Sequence, residues 1–142
     1  MHYFLFMSTL LLGATALPQS TSDEFEIMKY RNWDLRLSLP GCNPNTTDLD
    51  LSLYHRGGVY TRDCVSLLED TGPDGKPVDL SKVDSVSWKN PRKNYDLCLY
   101  PSADCSDKRG KAIRNGWEVC LPYEGWEAYR VVNVGDDCTV YT

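Results

Sequence analysis

Few side chains in this 142-residue chain are spaced for acid–base or nucleophilic chemistry. Two His occur, and only His55 lies beyond the apolar N-terminus. A Ser-His-Asp triad could use it as general base, but no Gly-x-Ser-x-Gly segment presents a nucleophilic Ser. His55 stands in Leu53-Tyr54-His55-Arg56-Gly57-Gly58, which reads as a strand end and turn, where a His is normally solvent-exposed. A small secreted nuclease can be written from His55, Arg56, Arg62 and Glu69, although nothing in their spacing fixes a geometry. Glycoside hydrolysis needs two carboxylates across a cleft, and the 20 Asp and Glu offer too many pairs to single one out. Zinc sites need grouped Cys and His, whereas the Cys are widely spaced here. No Gly-x-x-x-x-Gly-Lys-Ser phosphate loop is present. These residues lead us to expect no catalytic role, no cofactor and no metal site.

Charge and aromatic groupings point to binding instead. The 15 Lys and Arg against 20 Asp and Glu give a net charge of −5. That balance argues against a general nucleic-acid binder, which needs a basic face to displace counterions. Lys108, Arg109, Lys111 and Arg114 nevertheless cluster between Cys105 and Cys120, and Lys89, Arg92 and Lys93 surround Pro91. On one side of a fold these would form a patch for anionic lipid heads, cell-wall polyanions or an acidic protein. Lys108-Arg109 is also a dibasic pair open to a secretory-pathway protease. Trp117, Tyr123 and Trp126 fall near Gly116 and Gly125 in expected turns, where exposed rings can stack on sugars or anchor an interface.

The N-terminus and the cysteines set the compartment. Phe4 to Leu12 is apolar apart from Ser8 and Thr9, no charged side chain precedes Asp23, and the run ends in Ala14-Thr15-Ala16. This is the pattern of a secretory signal peptide over residues 1–16. The run is too short to span a bilayer, so no membrane anchor is expected. Residues 17–142 then hold all six Cys, an even number that suits three disulfides in an exported chain. Asn45-Thr46-Thr47 is an N-glycosylation sequon.

The elements that must position these residues come from an internal repeat. Asn32-Trp33-Asp34-Leu35-Arg36-Leu37 leads through a Pro to Cys42, and Asn94-Tyr95-Asp96-Leu97-Cys98-Leu99 leads through a Pro to Cys105. Each segment later reaches a second Cys, in Cys64-Val65 and in Val119-Cys120-Leu121, and then an aromatic strand-like stretch. Leu35, Leu37 and Leu39 alternate with polar residues, as do Leu49, Leu51 and Leu53, which is the period of a half-buried antiparallel strand. Short runs of this kind separated by Gly, Pro and Asn turns predict an all-β sandwich or barrel. The segment Glu69 to Lys82 has no counterpart of equal length and reads as a surface insertion. The expected organisation is one small domain of two repeats, about 24–90 and 91–142. Equivalent halves predict that Cys42 pairs with Cys64 and Cys105 with Cys120, each closing its own repeat. Cys98 and Cys138 are then left to tie down the C-terminal tail. A bridge crossing between the halves would break the repeat, remove the basis for a family resemblance and put the enzyme readings on equal terms.

Leu97-Cys98-Leu99-Tyr100, Ala103-Asp104-Cys105 with Gly110, and Tyr129-Arg130-Val131-Val132 resemble the first strand, turn and closing strand of a Greek-key unit. Val83-Asp84-Ser85-Val86 resembles the closing strand of a first unit. Over roughly 100 residues the chain resembles the βγ-crystallin-like, killer-toxin-like small secreted cysteine-rich fungal proteins, candidate effectors among them. The resemblance implies a disulfide-stabilised β-sandwich of two Greek keys. Some members of that family bind calcium through paired Asp or Asn before the closing strand. The residues here are Leu80-Ser81-Lys82 and Tyr123-Glu124-Gly125, which lack paired oxygen ligands, so no tight calcium site is expected.

The function expected is a secreted, monomeric, non-enzymatic protein of effector or toxin-like type. It would bind an extracellular protein, or a cell-surface or cell-wall component, through the Cys105–Cys120 loop. A carbohydrate-binding module built on Trp117, Tyr123 and Trp126 is the second reading, and a small hydrolase or nuclease centred on His55 the third.

Overall fold

The computed structural model describes residues 32–42, 51–107 and 110–139. The expected signal peptide, Asn45, Lys108 and Arg109 lie outside the described residues. The described chain is all-β, as the alternating pattern requires. Its strands are β1 (Trp33–Ser38), β2 (Ser52–Gly58), β3 (Arg62–Ser66), β4 (Ser85–Lys89), β5 (Tyr95–Tyr100), β6 (Lys111–Ile113), β7 (Trp117–Pro122) and β8 (Ala128–Asn133). One 3₁₀ turn, Leu80–Lys82, is capped by the Asp79 carboxylate, which accepts from the Ser81 N–H.

Two four-stranded sheets run in the orders β2-β1-β4-β7 and β3-β8-β5-β6, with every pairing antiparallel. Read from β2 and from β6, the two orders are the same under an offset of four strands. In each half the first, second and fourth strands are neighbours, and the third lies in the other half's sheet. The matched hexapeptides occupy the same place in β1 and β5. Leu35 pairs in register with Trp88 of β4, and Leu97 pairs with Val131 of β8.

The period of two sends Trp33, Leu35 and Leu37 inward from β1 and Leu97 and Leu99 inward from β5. They share one buried cluster with Tyr54, Val86, Trp88, Tyr129 and Val131 from both sheets. Trp33 and Trp88 stack with ring centroids 5.8 Å apart. The second sheet buries its other face too. There Cys98, Tyr100, Ala128 and Val132 pack with Cys105 and Cys138, and the Tyr100 hydroxyl donates to the Cys138 carbonyl.

Cys98–Cys138 forms as the sequence predicts. The other two bridges correct the prediction, being Cys42–Cys120 and Cys64–Cys105 rather than Cys42–Cys64 and Cys105–Cys120. The exchanged strands are the reason. Cys64 sits in β3, which joins the sheet of β5 beside the segment holding Cys105. Cys120 sits in β7, which joins the sheet of β1, and Cys42 follows β1. Each loop cysteine therefore meets the third-strand cysteine of the opposite half. Both bridges cross between the halves, the outcome expected of a false repeat; what the halves still share is one strand order under the four-strand offset, each giving its third strand to the other's sheet. The sequence separations are 78 and 41 residues, and restricting the unfolded chain over such loops is worth about 4 kcal/mol each.

Exchange also sorts the connections. Segments 59–61, 90–94 and 114–116 cross between the sheets at one end, where β8 also exits; this is the short-loop end. The opposite, long-loop end carries the described segments 39–42, 67–84, 101–107 and 123–127. The expected insertion lies there, closed by an isolated bridge between Thr71 and Pro77.

Gly58 lies opposite Trp33, and a Cβ there would come within 2.6 Å of the indole ring. Because that ring is locked in the core, Gly58→Ala should lower stability by about 1–3 kcal/mol. Thermal unfolding against Thr61→Ala, an exposed loop position, checks this; an unshifted Gly58→Ala curve would mean the ring can move aside.

Candidate functional site

Three groupings of polar or exposed side chains stand out. The first lies on the outer face of β1 and β2. Asp34 points away from the core because Leu35 points in, yet it is only 1% exposed. One carboxylate oxygen accepts from Arg36 Nε at 2.9 Å, and the other meets His55 Nε2 at 2.6 Å. His55 is thus a mid-strand residue, not a turn residue, and carries the orienting carboxylate of a base. The described residues form no α-helix, so no strand-to-helix elbow presents a nucleophile beside it. Successive strand residues face opposite ways, so His55 and Arg56 do not share a site. The grouping of His55 with Arg56, Arg62 and Glu69 is therefore not assembled. Arg62 and Glu69 are exposed on and just after β3.

Asp96, the repeat counterpart of Asp34, is equally buried. It accepts from Arg114 Nη1 at 2.6 Å and from the Gly135 N–H at 2.9 Å. Both Asp residues lie within the matched hexapeptides. An acidic residue kept at one outward position in both copies was the available sign that it anchors the outer face.

The second grouping is internal. Arg56 holds Asp70 in a fork, Nη2 to Oδ1 at 2.7 Å and Nε to Oδ2 at 3.2 Å. The Tyr54 hydroxyl donates to Asp70 Oδ2 at 2.8 Å. The Tyr129 hydroxyl, 2.9 Å from that of Tyr54, must then donate to it. Burial pushes both phenols up, and for Tyr54 the neighbouring Tyr129 and Asp70 add to the effect. Burial also pulls Asp70 upward, but hydrogen bonds from Arg56, Tyr54 and the Thr71 N–H outweigh it and hold the carboxyl below its usual range. This network ties segment 67–84 to the sandwich.

The third grouping is the short-loop end. Tyr60 is 77% and Trp117 53% exposed, and Val59 and Val134 are exposed at the same end of the fold. Four of the five exposed large hydrophobic residues among those described are here; Leu68 alone lies at the long-loop end. The loops are laced together. Val59 O accepts from Tyr95 Oη at 2.8 Å and from Asn32 Nδ2 at 3.0 Å. Trp33 Nε1–H donates to Tyr60 O at 2.8 Å. The Asn90 N–H donates to Gly116 O at 2.7 Å, and the Val134 N–H to Asn94 O at 3.0 Å. The Lys89 ammonium lies 5.1 Å from the Trp117 ring centre, and Arg92 and Lys93 are exposed nearby.

The residues singled out from sequence are scattered by comparison. Lys111 pairs with Glu124 at 2.9 Å and lies over the Trp126 ring. Arg114 is clamped to Asp96 at the opposite end of its strand. The Cys105–Cys120 segment therefore runs from one end of the fold to the other and is not one loop. Trp126 is 4% exposed within the core, and Tyr123 meets it edge-on with its hydroxyl donating to Trp126 O at 2.5 Å. Trp117, Tyr123 and Trp126 therefore build no common stacking face. Among the described residues no group of three or more His, Cys, Asp or Glu is placed to hold a metal ion, and no helix is long and apolar enough to cross a membrane. Comparison with protein-family models, curated proteins and solved structures found no match.

Two outcomes follow from the networks. Asp34→Ala leaves Arg36 and His55 without their shared carboxylate and should cost about 3 kcal/mol in denaturant unfolding; a loss near zero would mean Asp34 anchors nothing. Asp70, depressed in the folded state, stabilises above the carboxylate's ordinary pKa, and that contribution is lost as pH falls through the folded value. Thermal scans below about pH 4 should therefore show a steeper loss for the wild type than for Asp70→Asn. Parallel curves would contradict the assigned network.

Proposed function

We propose that the protein is a secreted, non-enzymatic binder of effector or toxin-like type that engages its target through the short-loop end. The observation that carries this reading is that Val59, Tyr60, Trp117 and Val134 are exposed at one end, on or beside loops tied to neighbouring segments by hydrogen bonds. Large exposed aromatics held on a rigid rim lose little entropy on binding, as interface anchors require. This surface replaces the Cys105–Cys120 segment favoured by the sequence.

The fold reading is a βγ-crystallin-like pair of Greek keys made by duplication. The identical strand order of the two sheets under a four-strand offset supports it. Secretion is supported by the Ala14-Thr15-Ala16 pattern and by three disulfides, which persist in oxidising compartments. The protein acts as a monomer on a cell-surface or cell-wall component or an extracellular protein. The carbohydrate reading loses its motivation, since its three aromatics lie at opposite ends.

Labelled secreted protein should bind target cells, and Val59→Ser with Tyr60→Ser should weaken that binding about tenfold or more. Leu68→Ser, at the opposite end, should leave it unchanged. Equal binding by all three proteins would sink the reading.

A further inference from the structure

Chemistry at the short-loop end narrows the partner. Its exposed apolar residues are two aliphatic and two amphipathic aromatic side chains, three just past strand ends and Trp117 at the first position of β7. Tyr and Trp favour the boundary between lipid heads and acyl chains, and valines at loop tips gain only where they can leave water. A glycan would use the aromatic faces but not the valines, and Lys89 lies against the Trp117 ring. Arg92 and Lys93 in 90–94 are exposed at the tips, and at the strand ends Arg62 stands beside the exposed Asp63 and Trp117 beside Glu118.

Charge is also polarised along the molecule. Segments 67–84, 101–107 and 123–127 at the long-loop end carry nine Asp and Glu against two Lys. Segments 59–61, 90–94, 114–116 and 134–137 at the short-loop end carry three Lys and Arg, of which Arg114 is paired with Asp96, against two Asp. An anionic plane would repel the first end and so present the second. Short loops add a geometric argument, because a flat partner can meet every tip at once.

We infer that the short-loop end docks on an anionic lipid surface, with Tyr60, Trp117, Val59 and Val134 entering the interface and Arg62, Arg92 and Lys93 contacting the head groups. This rests on the short-loop end being the binding surface and names its partner.

The test uses the secreted protein with phosphatidylcholine vesicles, with and without phosphatidylglycerol. Trp33, Trp88 and Trp126 are buried, so lipid-dependent change in tryptophan emission reports Trp117. Anionic vesicles should sediment the protein and brominated lipid should quench that emission, with binding falling as salt rises. Arg92→Glu with Lys93→Glu should weaken binding about tenfold or more, and so should Tyr60→Ser. Tyr60 is exposed enough that its replacement leaves the core intact, and an unchanged melting curve verifies this. Failure to bind anionic vesicles, or binding that neither variant weakens, overturns the lipid inference. If the cell binding tested above still depends on Val59 and Tyr60 while vesicles are ignored, only the lipid partner is wrong. If cell binding ignores those residues as well, the short-loop surface itself is wrong.

Discussion

Each half of the chain builds three adjacent strands and gives its third strand to the other half. A sheet of β2, β1 and β4 has β7 at its edge, and a sheet of β6, β5 and β8 has β3. Neither half can therefore complete its sheet or bury its leucines alone. The Cys42–Cys120 and Cys64–Cys105 bonds fasten each donated strand to the half that receives it. The inward rows from Trp33 to Leu37 and from Leu97 to Leu99 then close over one core, with burial of Trp33 and Trp88 supplying much of its apolar area.

Exchange also gives the two ends different physical characters. Crossing between sheets takes only three to five residues at one end, too few to form anything but taut, cross-bonded turns. The long-loop end holds the insertion, the Arg56–Asp70 fork and most of the described loop carboxylates. Rigid apolar tips thus come to stand opposite a charged, elaborated end. The buried carboxylates Asp34 and Asp96 belong to the same plan. Each lies on the outer face of a first strand and gathers cations that could otherwise have served a binding site.

Much of this architecture was legible in the sequence. Leucines alternating with polar residues gave the strands, and the matched hexapeptides marked β1 and β5 at identical positions. The six Cys and the tail bond Cys98–Cys138 were also readable. Strand exchange was not, because local patterning specifies what a strand buries and not which sheet receives it. Pairing each Cys within its own repeat followed from that gap. The candidate site was less legible still. Lys111 and Arg114 look like surface residues by type, and Tyr123 and Trp126 lie beside an expected turn at Gly125, but Glu124, Asp96 and the core occupy them. Tyr60 and Val59 gave no signal, since a short apolar stretch after Gly57-Gly58 reads as the start of the next strand. Only the fold brings 59–61, 90–94, 114–116 and Val134 together.

The exchange is tested most directly by a non-reducing peptide map of the purified protein. Cys98 and Cys105 share one peptide between Lys93 and Lys108, so digestion with trypsin must be joined by cleavage before Asp104. The account predicts linked peptides for Cys42–Cys120, Cys64–Cys105 and Cys98–Cys138. Finding Cys42 joined to Cys64 and Cys105 joined to Cys120 would place each third strand within reach of its own half and contradict the exchange.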